Sequence, residues 1–238
     1  MLILAFDTTS EWGGAAIFKD ERCLAQARHD GQPSYSVSLF QLVNSLADQA
    51  GVELREIDLF AAASGPGSFT GIRVGLAAAQ GWSHAFEKPW RGVSVFEAMA
   101  EEAAAETNWA VALLDARRGE FYAGLFRHFA PSGSRLQNRL ELQGDARILK
   151  PADLRPMLAS HLSEGEEATC IVREEDAAAG ALEPFAPPSC RWQKVSAFLV
   201  PAIARLALRA VQHGRPPSVT DLSAYYVRRT DAELNLKA

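Results

Sequence analysis

Two stretches of the chain combine residue types that can handle an anion. The longer is Ser64-Gly65-Pro66-Gly67-Ser68-Phe69-Thr70-Gly71-Ile72-Arg73-Val74-Gly75-Leu76, entered from the apolar run Asp58–Ala63 and left by a helical pattern of small residues. Gly65, Gly67 and Gly71 allow sharp turns where a Cβ would clash. Pro66 fixes one φ and removes one donor, and Ser68 or Thr70 can cap the helix that follows. A strand, a rigid polar turn and a helix N-terminus make an anion cradle, because the free N–H groups of the first helical turn point back into the loop. The same residues admit a second reading, in which the turn only lets a helix pack closely on a sheet. The shorter stretch is Asp7-Thr8-Thr9-Ser10, a tight polar turn directly after the apolar run Leu2–Phe6.

Other chemistries find less support. His29, His84, His128, His161 and His213 include no pair three to five residues apart, so no local metal pair is present and no metal is expected. Cys23, Cys170 and Cys190 are odd in number and scattered without metal-ligand spacing, as expected of reduced thiols. No catalytic residue and no cofactor is assigned. A net charge of −5 over 238 residues argues against a protein that grips nucleic acid by itself. No apolar run approaches the roughly 18 residues that span a bilayer. The first residues meet Asp7 without a basic segment, so no secretion signal is expected and the cytoplasm is the expected location.

Periodicity sets out the elements that must hold these stretches. Leu2–Phe6, Trp12–Phe18 and Arg22–Arg28 read as an antiparallel meander. Ser34 or Ser36 can cap a helix from about Val37 to Ala50, ended by Gly51. The strand through Ala63, the glycine turn, a helix from Ile72 to about Phe86 and a brief strand at Arg91–Val93 follow. Ser94 and Glu97 have capping-box spacing ahead of a helix to about Glu106. The plan then restarts: Ala110–Asp115 is again an apolar strand ending in Asp. Laid over Ala110–Phe126 without a gap, Leu2–Phe18 matches Asp7 to Asp115, Ala15 to Ala123 and Phe18 to Phe126. Two similar halves are therefore expected, residues 1–106 and 107–238. The second is to hold a strand at Leu136–Leu142, a helix from Pro151 to Ser160, a strand at Ala168–Val172 and a helix at Glu174–Leu182. A long helix capped by Ser196 then reaches His213, followed by a weakly periodic tail.

Two helices are apolar over more than one face. The helix over 37–50 carries Val37, Leu39, Phe40, Leu42, Val43, Leu46 and Ala47, and that over 72–86 carries Gly75, Ala77, Ala78, Ala79, Gly81 and Ala85. Such helices are buried on more than one face, either within the monomer or against a partner.

Two hairpins that each start from an Asp-ended strand, with a glycine turn ahead of a helix, resemble the nucleotide clamp of the acetate kinase, sugar kinase, Hsp70 and actin (ASKHA) superfamily. The resemblance implies an α/β fold of two similar actin/Hsp70-like halves, each a mixed sheet flanked by helices. It makes Asp7, Thr8, Thr9 and Ser10 candidates for a vestigial phosphate loop, with the acid working through magnesium and water. The alternative is that Asp7 and Asp115 simply end strands. The matching second turn, Asp115-Ala116-Arg117-Arg118-Gly119, carries large side chains where a phosphate hairpin uses Gly, Ser or Thr.

The stretch Ser64–Gly75 resembles the hallmark segment of the bacterial TsaB (YeaZ) family. Leu4–Ser10, Gly92-Val93-Ser94, Leu114–Tyr122 and the terminal Tyr225-Tyr226-Val227-Arg228-Arg229 resemble further segments of that family. The resemblance implies a non-catalytic scaffold in the making of threonylcarbamoyladenosine beside the anticodon of tRNA. Such a scaffold pairs with the paralogous transferase TsaD, helps recruit the small ATPase TsaE, meets tRNA only through the complex, and forms a homodimer when alone. TsaD carries a metal-binding His-x-x-x-His that, aligned on Glu97, falls on Val95 and Met99, neither of which offers an imidazole. The family docks through its first-half helices, which makes Val37, Phe40, Val43, Ile72, Gly75, Ala78, Ala79 and Trp82 the candidate interface. Gly65, Pro66, Gly67, Ser68, Thr70 and Gly71 then form a structural turn beneath it. The competing expectation is a stand-alone small-molecule kinase built on Asp7–Ser10.

Overall fold

Leu2–Asp7 (β1) is apolar until its last residue, and every residue from Ile3 on is buried. A strand with no solvated face belongs inside a sheet covered on both sides, and β1 is the central strand of five. In a computed structural model of the chain, which describes residues 1–29, 34–129, 139–174 and 178–214, β1 runs antiparallel to Gly14–Lys19 (β2), and β2 to Arg22–Arg28 (β3). Leu59–Ala63 (β4) pairs parallel with β1, and Trp90–Val93 (β5) parallel with β4, giving the order β3-β2-β1-β4-β5. The crossovers are Tyr35–Ala50 (α1) and Phe69–Phe86 (α2). Gly51 ends α1 in the left-handed region, with its N–H on the carbonyl of Asp48.

Alternation across the strands divides the core. Leu4, Phe6, Phe60 and Ala62 face α1 and α2, meeting Leu39, Val43, Leu46, Leu76, Ala79 and Trp82. The alternate residues Ile3, Ala5, Leu59 and Ala61 are equally buried. Val200–Gln212 (α6) packs on β1, β2, β4 and β5 yet contributes nothing to the first cluster, so it covers the opposite face. Pro201 sits in its first turn, where a missing N–H costs nothing.

The second sheet repeats the first. Trp109–Asp115 (β6) pairs antiparallel with Phe121–Phe129 (β7), and β7 with Arg139–Leu142 (β8). Arg147–Leu149 (β9) also pairs with β7. Ala168–Arg173 (β10) lies parallel to β6, and Cys190–Val195 (β11) parallel to β10. The path β8-β7-β6-β10-β11 thus has the order and sense of β3-β2-β1-β4-β5. Leu154–Ala159 (α4) and Ala178–Leu182 (α5) take the crossover places, and α4 and Leu182 close one face of this sheet over Trp109, Val111, Leu125 and Cys170. Two mixed sheets of one topology, each flanked by helices, are the actin/Hsp70-like halves expected. No described helix is long and apolar enough to cross a membrane.

Several expectations need correction. The ungapped overlay fails after the first turn. Asp7 faces Gly14 in β1/β2, whereas Asp115 faces Phe121 in β6/β7, so the second turn is one residue shorter. Ala123 is therefore the counterpart of Ala16, and the matches at Ala15 and Phe18 do not hold. The chain also does not divide at a single point: one compact unit takes residues 1–98 and the segment from Ala197, the other Met99–Ser196. The helix Val95–Ala103 (α3) stops short of Glu106, and Ser94 forms no capping box, since its buried hydroxyl has no partner. The strands β9 and β11 were not anticipated, because Arg147–Leu149 is three residues long and Cys-Arg-Trp-Gln-Lys-Val mixes polar and apolar residues on a half-buried edge. Ser196 does not cap α6, which starts after Leu199. Residues 136–138, the expected helical residues 175–177 and the tail motif Tyr225–Arg229 lie outside the described residues.

Candidate functional site

The two anion-handling stretches are brought against each other. Asp7 and Thr8 are completely or almost completely buried at the end of β1, with Thr9 close behind. Asp7 Oδ1 accepts from the Thr9 N–H and from Thr9 Oγ1, both at 2.7 Å. Thr8 Oγ1 donates to the Gly71 carbonyl at 2.7 Å, and the Ser68 N–H to the Thr9 carbonyl at 2.7 Å. Helix α2 starts earlier than the apolar pattern implied. Ser68 is its cap, accepting from the Gly71 N–H at 3.2 Å, and Thr70 lies inside the first turn rather than capping it.

The glycines of the motif are explained by this contact. A Cβ on Gly71 would lie 1.9 Å from the Thr8 carbonyl oxygen, one on Gly75 2.4 Å from Thr8 Oγ1, and one on Gly67 2.5 Å from the Thr9 carbonyl oxygen. Each is closer than any real Cβ contact. Gly65 at φ +104 and Gly67 at φ +156 also use the backbone freedom of glycine, and Gly65 is joined to Pro66 by a cis bond. Its carbonyl accepts from the Val95 N–H, while the Ser64 N–H donates to Val93, so the loop is also stitched to the end of β5. The turn spans residues 65–68, and Phe69 already begins the helix.

The phosphate-loop candidates have their hydroxyls committed to protein groups at Thr8 and Thr9, and Ser10 Oγ is buried with no partner. Asp115 repeats the Asp7 device: its Oδ1 accepts from the N–H two residues on, Arg117, at 2.7 Å. Arg117 and Arg118 both adopt left-handed backbone at φ +63 and +58. Tyr35 is a neighbour that the sequence did not offer. Its ring stacks on His29 at 4.0 Å, and burial, then the negative charge of Asp7, push its phenol up. No spacing links residues 7 and 35, so only the packing of α1 on the meander could show it.

The interface candidates separate into two groups. Val43, Ile72, Gly75, Ala78, Ala79 and Trp82 are buried in the unit and have no face to offer a partner. The wide apolar arc of α1 is used twice, on the sheet and on α2, and the small residues of α2 admit the β1–β2 turn. Trp82 is the hub of this packing, with its ring 5.5 Å from Phe6 and 5.9 Å from Phe60. Val37 and Phe40, in contrast, are 59% and 52% exposed, and Phe40 touches the outer edge of Trp82 at 5.2 Å. On α2, Ala77 and Gly81 are exposed and Val74 is half-buried.

The family model described as TsaD, tRNA N6-adenosine threonylcarbamoyltransferase, matches residues 30–143. Two relatives called tRNA threonylcarbamoyladenosine biosynthesis protein TsaB are similar over about half of the chain. The Bacillus subtilis protein is 29% identical over 54% of this chain and 56% of its own, and the Escherichia coli protein 34% identical over 51% and 53%. The chain spans about half the length of the curated relatives it matches. The fold carries the likeness further: YeaZ from Pseudomonas aeruginosa superposes with a TM-score of 0.69 at 24% identity, over 90% of this chain and 95% of that one. The chain is thus similar to TsaB proteins over about half of its sequence and to YeaZ in fold over nine-tenths of its length. A second solved structure, described as similar to peptidase YeaZ from Pseudomonas aeruginosa, superposes at 0.65 with 26% identity over 90% and 92%. Val95 and Met99, which the resemblance aligns with the TsaD-type histidine pair, are fully buried on α3.

Proposed function

We propose that the chain is a non-catalytic subunit in cytoplasmic tRNA threonylcarbamoyladenosine biosynthesis, where it pairs with a TsaD-like transferase and helps recruit a TsaE-like ATPase. The observation that carries the reading is the exposure of Val37 and Phe40 on α1. Two large apolar side chains stand exposed one helical turn apart on α1, where Phe40 meets Trp82 of α2, and they offer an apolar surface to another helix. When the chain is alone, the same face pairs with a second copy, and tRNA is met only through the complex. Asp7–Ser10 is then an inherited phosphate loop whose two threonine hydroxyls now hold the fold, and Val95 and Met99 leave the transferase chemistry to the partner. The test is reconstituted threonylcarbamoylation of tRNA with a TsaD-like paralogue and a TsaE-like ATPase, with and without this chain. Modification is expected to depend on the chain, and full activity in its absence would overturn the reading.

A further inference from the structure

Strands β10 and β11 lie side by side and parallel, with Ala168 opposite Cys190 and Cys170 opposite Trp192. The two cysteines are offset along the ladder, yet their side chains converge on the face covered by α4: Cys170 Sγ lies 3.3 Å from Cys190 Sγ. A disulfide holds its sulfurs about 2.05 Å apart, so closure asks them to approach by about 1.3 Å. The two thiols are not equivalent. Cys170 is completely buried, while Cys190, first residue of the edge strand, is partly open to solvent. The Cys170 S–H donates to the Cys190 sulfur, which holds Cys190 below the ordinary thiol range; the same bond and burial push Cys170 up. The reachable sulfur is thus also the one readier to be a thiolate. Cys23, on the edge strand β3 of the other sheet, is exposed, and burial of part of its thiol raises it.

We infer that Cys170 and Cys190 form a peroxide-responsive dithiol, which closes to an intramolecular disulfide and clips the edge strand β11 to β10. The Cys190 thiolate attacks one oxygen of hydrogen peroxide; the O–O bond breaks, and the departing hydroxide takes up the proton that Cys190 released. Cys190 is left as a sulfenic acid, with one water formed. The Cys170 thiolate then attacks the Cys190 sulfur and displaces hydroxide, which leaves as a second water with the Cys170 proton. Two thiols lose two electrons, and one peroxide is reduced to two waters.

The full chain, treated with one equivalent of hydrogen peroxide, alkylated and digested without reductant, tests this by mass spectrometry. Free thiols are expected to fall from three to one, with the peptides holding Cys170 and Cys190 joined and released again by dithiothreitol. Cys23→Ser should leave that cross-link intact. Cys170→Ser should strand Cys190 as a sulfenic acid, trapped by a carbon nucleophile. If that variant does not fold, Cys190→Ser, at the more open position, should abolish the cross-link and leave Cys170 alkylatable after unfolding. Cys170 and Cys190 both remaining as thiols while Cys23 is oxidised, or cross-links that join only separate chains, would overturn the inference.

Discussion

The hydroxyl of Thr8 donates to the carbonyl of Gly71 across 2.7 Å, and the missing side chain at Gly71 is what lets the two meet. That contact joins the first turn of the sheet to the first turn of α2, so residues 63 apart in the chain act as one unit. A loop with the composition of an anion cradle serves here as a fastening. Its cap Ser68, its carbonyl Gly71 and the turn hydroxyls Thr8 and Thr9 are all bonded within the unit.

Gly71→Ala should be among the most damaging single-atom additions to the chain. The new Cβ meets backbone rather than a movable side chain, so α2 must shift away from β1. A loss of about 4 kcal/mol or more is expected in urea unfolding. Gly81→Ala is the contrast, since its Cβ has open space around it, and it should stabilise by about 0.5–1 kcal/mol. Equal effects at the two positions would show that the contact is not what fixes the glycine.

Asp7→Ala removes the acceptor of the Thr9 N–H and hydroxyl at a buried site, and should cost about 2–3 kcal/mol. Asp115→Ala removes the same turn bond at an exposed site, where water can replace it, and should cost less than about 1 kcal/mol. Chemical unfolding of the two variants side by side gives the comparison. Comparable losses would mean that burial does not separate the two aspartates.

Much of this was legible in sequence because it rests on local rules. The apolar runs of β1, β4 and β6, the left-handed Gly51 and the Asp-ended strands all follow from residue type and spacing. What escaped depends on partners distant in the chain. That Ala78 faces the core while Ala77 faces water cannot be read from a helix of small residues, since either face satisfies the pattern. The return of α6 to the first sheet and the approach of Tyr35 to Asp7 are likewise set by tertiary packing. The repeat was visible, but the one-residue difference between its turns was hidden by the chance match of Ala15 with Ala123.

Ala78→Glu should unfold the chain rather than merely block pairing. The side chain would place a carboxylate in the cluster beneath α1 and α2, at a cost of several kcal/mol. Circular dichroism is expected to show loss of the cooperative transition at room temperature. A folded variant with an unchanged midpoint would place Ala78 at the surface.

Glu166 makes stability depend on acid. Its carboxylate accepts from the Ser163 N–H at 2.9 Å and from Trp109 Nε1–H at 3.0 Å, and these bonds hold it below its ordinary value of 4.5. A lowered folded value means the contribution is complete above the ordinary carboxylate range and is lost as pH falls through the folded value. Thermal midpoints of the wild type and Glu166→Gln, followed from neutral to acid pH, should therefore converge on the acid side. Parallel curves would exclude a role for this carboxylate.

The claim on which the rest depends is that the exposed face of α1 docks the TsaD-like partner. The most direct measurement is the mass of the complex formed when this chain is mixed with a His-x-x-x-His paralogue from the same cell, compared with Phe40→Asp. Phe40 is half-exposed, so the variant should keep its fold. A one-to-one complex is predicted for the wild type, and a loss of affinity of about 100-fold or more for the variant, as expected where an aromatic anchor is replaced by a charge. No complex with the wild type, or a variant complex of undiminished mass and affinity, would contradict the account.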